Sequence, residues 1–198
     1  MTELDREIWR VALSSETSEE DLTKLDNMPH SDEFVSAVYT TIRTYQRSSG
    51  AAKYLNLSDH IKRLNNSLLN ENISLTVPPA VLKSALRTAE IRSAFPGELR
   101  IKIIVVPYPK LYSYLVIEPL TIPGPQSYEK GADVATTQYV RNAPDVKAYA
   151  FIEKQEQIRS QIDPQREEVL MINTEGDILE GLSSNFFGVI DSTIFTAE

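Results

Sequence analysis

The chain has no cysteine among its 198 residues, which excludes disulfides, thiolate metal sites and cysteine nucleophiles at once. Basic residues are the other shortage: 20 Lys and Arg stand against 28 Asp and Glu, for a formal charge of −8 and a pI near 4.9. A nucleic-acid binder needs a concentrated basic face and none is visible, so DNA and RNA are not expected partners. No basic-then-apolar leader opens the sequence and no apolar run approaches membrane-spanning length, so a soluble cytoplasmic protein is the expectation. Internal repeats and low-complexity tracts are missing as well. What is present is ordinary: a hydrophobic content of 41% can bury a real core, in one domain or two small ones.

Residues 1–33 read as an acidic, polar arm anchored by Trp9, with a helix capped by Ser18 across Glu19 to Leu25. Strand signals follow at Val35 to Tyr45 and Tyr54 to Leu57, with the Ser48 to Ala51 segment as a turn between them. Ser58 is a candidate cap for a helix over Asp59 to Asn70, whose Ile61, Leu64 and Leu68 share one face. A second helix is predicted from Ala80 to Ser93 with Val81, Leu82, Ala85 and Leu86 inward, stopped by Pro96 and Gly97. Two strands, Leu99 to Val106 and Tyr112 to Leu120, complete an α+β layer over residues 34–122. Proline and glycine between 123 and 131 mark a linker. A second domain over 132–198 then carries a strand to Val140, a helix from about Val146 to Gln161, and a strand pair flanking Gly176.

The stretch DILEGLSSNFFGVI, beginning at Asp177, is the most informative. It sets Glu180 between apolar strand signals and beside a turn of Gly181, Ser183, Ser184 and Asn185. A carboxylate buried there needs a cationic partner, and a solvated turn glutamate is the plainer reading on composition alone.

Upstream lie Arg141, Pro144 and Lys147, a helix, and a strand from Glu168 to Ile172. Together with Gly176, Glu180, Gly181, Ser184, Asn185 and Phe187, this order of motifs resembles the class IV, or fold type IV, pyridoxal-phosphate enzymes. VYTTIRTY, from Val38 to Tyr45, and LNLSDHIKRLNNSL, from Leu55 to Leu68, extend the resemblance toward the N-terminus. The family includes branched-chain and D-amino-acid aminotransferases and aminodeoxychorismate lyases. The resemblance implies a two-layer α/β N-terminal domain with an antiparallel sheet, then part of a mixed α/β barrel-like domain.

It also implies roles. Lys147 is implied as the Schiff-base lysine and proton-moving base, since only a primary amine condenses with the cofactor aldehyde. Glu180 would hold the pyridine nitrogen protonated, and Arg63 would grip the phosphate with its guanidinium fork. Ser183, Ser184 and Asn185 are implied near the ring and phosphate, and Tyr39 as an aromatic wall of the substrate pocket. Arg100 and Lys102, on one face of a strand, are candidates for a substrate carboxylate trap. Each has a plainer reading: Arg63 paired with Asp59, Tyr39 as core, the serines as turn residues, Arg100 and Lys102 as a solvent-facing pair, and His60 as structural. The partners implied are an amino acid or 2-oxo acid and a second copy of the chain.

The sequence departs from the family before Tyr39, where HSDEFVSAVY lacks the usual glycines, and after Lys147, where Tyr149 comes two residues on. The family continues past the position of Glu198 through a Gly-Ile-Thr-Arg-like phosphate loop, so a fragment or shortened homologue is the expectation. Transamination is the leading function. An aminodeoxychorismate lyase-type elimination and a non-catalytic binding protein are the alternatives.

Overall fold

Strands β5 (Leu99–Val106) and β6 (Tyr112–Pro119) alternate apolar side chains onto both faces and form the centre of a six-stranded sheet. The computed structural model describes residues 6–13, 22–45, 52–141 and 147–197. The chain divides into two units: Met1–Thr121 with Asp145–Ala150, and Ile122–Pro144 with Phe151–Glu198.

In the first unit, β1 (Glu7–Ala12), β2 (Leu22–Leu25), β3 (Val38–Tyr45) and β4 (Lys53–Tyr54) join the central pair in the order β2-β1-β6-β5-β3-β4. Every pairing in this sheet is antiparallel. Helices α1 (Leu57–Asn70) and α2 (Pro79–Arg92) cover one face. Leu64, Leu68, Leu82 and Leu86 pack there against Val38, Ile42, Ile101, Ile103, Leu115 and Ile117. The opposite face carries a smaller cluster of Ile8, Phe34, Ile104, Val106, Tyr114 and Val116. The α+β, antiparallel reading of this region therefore holds.

Several local expectations are corrected. Residues 22–25 form strand β2 rather than the end of a helix, because they pair with β1; Ser18 lies outside the described residues. β1 is a strand within the sheet whose Ile8, Trp9 and Val11 are buried. α1 begins at Leu57 behind Asn56, a left-handed N-cap residue at φ 48°, so Ser58 sits inside the helix and does not cap it. The Pro/Gly segment holds a short exposed helix, α3 (Pro125–Lys130). The serine-rich turn at 48–51 lies outside the described residues.

Glu7 ties β1 to its surroundings. Its Oε1 accepts from Lys24 Nζ at 2.7 Å and from the Ala94 N–H at 3.2 Å. Burial pushes this carboxyl up, but the hydrogen bonds from Lys24, Ala94 and Ser93 and the Lys24 charge outweigh it, and the group sits below its ordinary value. A depressed carboxyl stabilises the fold above its unfolded value of 4.5 and loses that contribution as pH falls through the lower folded value. Glu7→Gln is expected to cost about 1–3 kcal/mol at neutral pH and to flatten the acid limb of stability, as thermal melts down to about pH 3 would show.

In the second unit, β7 (Val134–Gln138) runs parallel to β8 (Glu168–Ile172), which pairs antiparallel with β9 (Ile178–Gly181). The turn between β8 and β9 uses Gly176 at φ 90°, where a side chain would be strained. Helix α4 (Ala150–Arg159) lays Phe151 and Ile158 on Val169, Met171 and Leu182. A two-stranded ribbon, β10 (Gly188–Ile190) and β11 (Thr193–Phe195), follows.

Candidate active site

In the first unit, β3 brings two of the sequence-derived residues to one place. Its edge beyond β5 takes a short antiparallel bridge from residues 147–149, centred on Val38 and Ala148. Tyr39 N–H donates to the Lys147 carbonyl at 2.8 Å, and Tyr149 N–H donates to the Ala37 carbonyl at 2.7 Å. The Tyr149 ring stacks on Phe34 with centroids 4.4 Å apart. Lys147 thus sits on a strand edge, three residues ahead of α4, where the sequence suggested a helix start. Its N–H also donates to Ser67 Oγ on α1, at 3.4 Å.

Ser67 lies one turn beyond Arg63, and residues four apart share a helix face. The Lys147 main chain therefore meets α1 one turn from Arg63. Arg63 turns away from Asp59 toward the sheet: its Nη2 donates to Thr40 Oγ1 at 2.5 Å and stands 3.1 Å from His60 Nδ1. Among the described residues Nε and Nη1 take no partner, so they remain available to an anion.

Tyr39, Lys102 and Arg100 share the sheet face away from the helices, as alternation requires: Tyr39 pairs with Ile104, Thr41 with Lys102 and Arg43 with Arg100. Tyr39 is half-buried against the Ile104 cluster. Arg100 has Glu118 at 3.8 Å, and Arg43 binds Glu98 at 2.6 Å.

In the second unit, Glu180 has the cationic partner its setting demands. Arg141 Nη1 lies 3.1 Å from Glu180 Oε1, with side-chain exposures of 6% for the arginine and 28% for the acid. The guanidinium also stacks over Phe151, 4.1 Å from the ring centroid. Arg141 and Glu180 line a cavity of about 290 Å³ with Asn185, Met171 and Phe186. Sequence reasoning quoted Arg141 as part of a motif without giving it a role at the site. The signal was there: a carboxylate requiring a cation, and an arginine just past strand β7.

Ser183 is spoken for within the protein, since its hydroxyl and N–H donate to Glu168 Oε2 at 2.6 and 3.3 Å. Glu168 also takes Arg159 Nη2 at 2.5 Å and the Val169 N–H at 2.8 Å. Burial raises the Glu168 carboxyl, and the bonds from Ser183, Val169 and Ser184 with the Arg159 charge bring it below its ordinary value. A Cβ on Gly181 would crowd Ser184 Oγ and the Glu168 side chain, so a larger residue there would have to displace these side chains. Asn185 lines the cavity beside Glu180, whereas Ser183 and Ser184 brace the loop. Among the described residues no group of three or more His, Asp or Glu could hold a metal ion, and no helix is long and apolar enough to cross a membrane.

The family profile of amino-transferase class IV matches residues 37–198, spanning β3, Arg63, Lys147 and Glu180. The chain belongs to the class IV aminotransferase family. Among solved structures, a T.th. branched-chain amino acid aminotransferase with pyridoxamine 5'-phosphate superposes with a TM-score of 0.73 at 18% identity, covering 98% of this chain and 68% of that one. The branched-chain amino acid aminotransferase of Thermobaculum terrenum in its PLP form gives 0.68 at 17% identity, covering 98% and 67%. A fold IV transaminase from Curtobacterium pusillum gives 0.67 at 16% identity, covering 96% and 71%. These class IV relatives share the fold, and the chain spans about two thirds of their length. The comparison with curated proteins found no match.

Proposed function

We propose that this chain carries a pyridoxal 5'-phosphate-dependent aminotransferase activity toward amino acids and 2-oxo acids. The observation that carries the reading is Glu180, a carboxylate lining a cavity and paired with the buried Arg141. The residues suit the cofactor by their chemistry. The second Glu180 oxygen has no donor among the described residues and would accept a ring N–H. Asn185 supplies an amide beside it. Arg63 offers the N–H donors of Nε and Nη1 to a phosphate.

When bound, the cofactor supplies the electron sink that stabilises negative charge at the substrate α-carbon. Lys147 has the further role of attaching the cofactor and moving the proton at that carbon, and its backbone is held by the Tyr39 and Ser67 bonds. Tyr39, Lys102 and Arg100 offer one face on which a substrate and its carboxylate can be oriented. A homodimer in the cytoplasm is the setting this reading implies.

The test is cofactor uptake and amino transfer by the purified chain. The expected result is a visible absorption band on adding pyridoxal phosphate, covalent retention after borohydride reduction, and loss of the band when an amino acid is added with production of a 2-oxo acid. A folded chain that takes up no cofactor would overturn it. Release of an elimination product without amino transfer would move the chain to the lyase branch.

A further inference from the structure

Arg63, His60 and Thr40 form a triangle that a phosphate role for Arg63 alone leaves unexplained. Arg63 Nη2 is 2.5 Å from Thr40 Oγ1 and 3.1 Å from His60 Nδ1, and the last two atoms are 2.7 Å apart. A guanidinium nitrogen only donates. Facing it, His60 Nδ1 serves as an acceptor, which puts the ring proton on Nε2. Thr40 Oγ1 then has one consistent arrangement: it accepts from Arg63 and donates to His60. Thr40 is 1% exposed on the helix-facing side of β3, so its hydroxyl has no water to turn to. Burial first, and then the Arg63 charge, push the imidazole below its ordinary value against an opposing pull from Asp59, in keeping with a neutral ring.

The bonds also choose which nitrogen of the arginine is tethered. Nη2 is tethered to the sheet, while Nε and Nη1 stay available among the described residues. An arginine stem is flexible, and fixing one terminal nitrogen before the ligand arrives removes part of the ordering cost of binding. We propose that His60, acting through Thr40, is a positioning residue that holds Arg63 by Nη2 and so presents its remaining N–H donors to a phosphate monoester. This rests on the reading of Arg63 as the cofactor-phosphate ligand given above.

The test compares pyridoxal phosphate with pyridoxal, which lacks the phosphate, by titrating the full chain. His60→Leu and Thr40→Val are each expected to weaken pyridoxal phosphate about tenfold and to leave pyridoxal unchanged; His60→Asn and Thr40→Ser, which keep an acceptor and a hydroxyl, should stay within about threefold of the parent. Arg63→Gln should weaken pyridoxal phosphate on its own, and adding His60→Leu to it should cost nothing more. Equal losses for both ligands, or none for either, with Arg63→Gln still impaired, would overturn the positioning role while leaving the phosphate reading intact. An Arg63→Gln chain of unchanged affinity would overturn both. If His60→Leu does not fold, the imidazole nitrogens of the parent decide by NMR, with His30→Gln assigning the second ring: an unprotonated, hydrogen-bonded Nδ1 supports the proposal, and a protonated Nδ1 ends it.

Discussion

Lys147→Ala is expected to abolish covalent cofactor retention and to lower the rate of amino transfer by about 10⁴-fold or more, since on the proposed reading one amine supplies both the covalent attachment and the proton transfer. The fold should not change. The Lys147 segment is held by main-chain groups, with its carbonyl bound by Tyr39 N–H and its N–H by Ser67 Oγ, and alanine keeps both. Melting should therefore shift by less than about 1 kcal/mol in stability. Lys147→Arg is the sharper control, because it preserves the charge and stem and removes only the nucleophilic amine. Borohydride reduction followed by denaturing mass spectrometry reads the outcome directly. A cofactor adduct surviving in Lys147→Ala would place the reactive amine elsewhere.

Glu180 has the second largest expected effect, and its two substitutions separate chemistry from stability. Glu180→Gln keeps an oxygen for Arg141 but removes the negative charge. The turnover number should fall on the order of 10²–10³-fold, the scale of losing one preorganised electrostatic contact in an active site, with cofactor affinity changing far less. Glu180→Ala also leaves the Arg141 guanidinium without its carboxylate. A fully buried pair broken in this way loses about 3–5 kcal/mol. Glu180 is 28% exposed, so water recovers part of that and about 1–3 kcal/mol is the expected loss. Stopped-flow amino transfer and thermal melts of the two variants check both halves. Equal turnover in Glu180→Gln and the parent would remove the carboxylate from the chemistry.

The helices and the central strands were legible in the sequence because their signals are local. Leu64 and Leu68, or Leu82 and Leu86, declare a helix face by spacing alone, and Ile101, Ile103, Leu115 and Ile117 declare buried strands. β2 was misread because Leu22 to Leu25 is a strand only through its pairing with β1, a contact that propensity does not carry. The capping expectation for Ser58 failed for a related reason: the helix starts one residue before it, behind a left-handed Asn56 that makes no side-chain cap bond. At the site, residue types were readable from motifs, but their partners were not. Arg141 lies 39 positions from Glu180, and Thr40 lies 23 from Arg63. Side chains so far apart in the chain are joined by the fold, and no periodicity records them.

The bridge at Val38 and Ala148 makes the first unit discontinuous along the chain. Its final piece, residues 145–150, arrives only after the polypeptide has entered the second unit at Ile122, and the chain then returns to that second unit at Phe151. A protein cut after Thr121 would consequently leave the Ala37 carbonyl and the Tyr39 N–H on an open strand edge, where another chain can pair. Anyone dividing this protein for separate expression should expect the N-terminal piece to be sticky. A short peptide covering the 145–150 segment, supplied in trans, should make it better behaved.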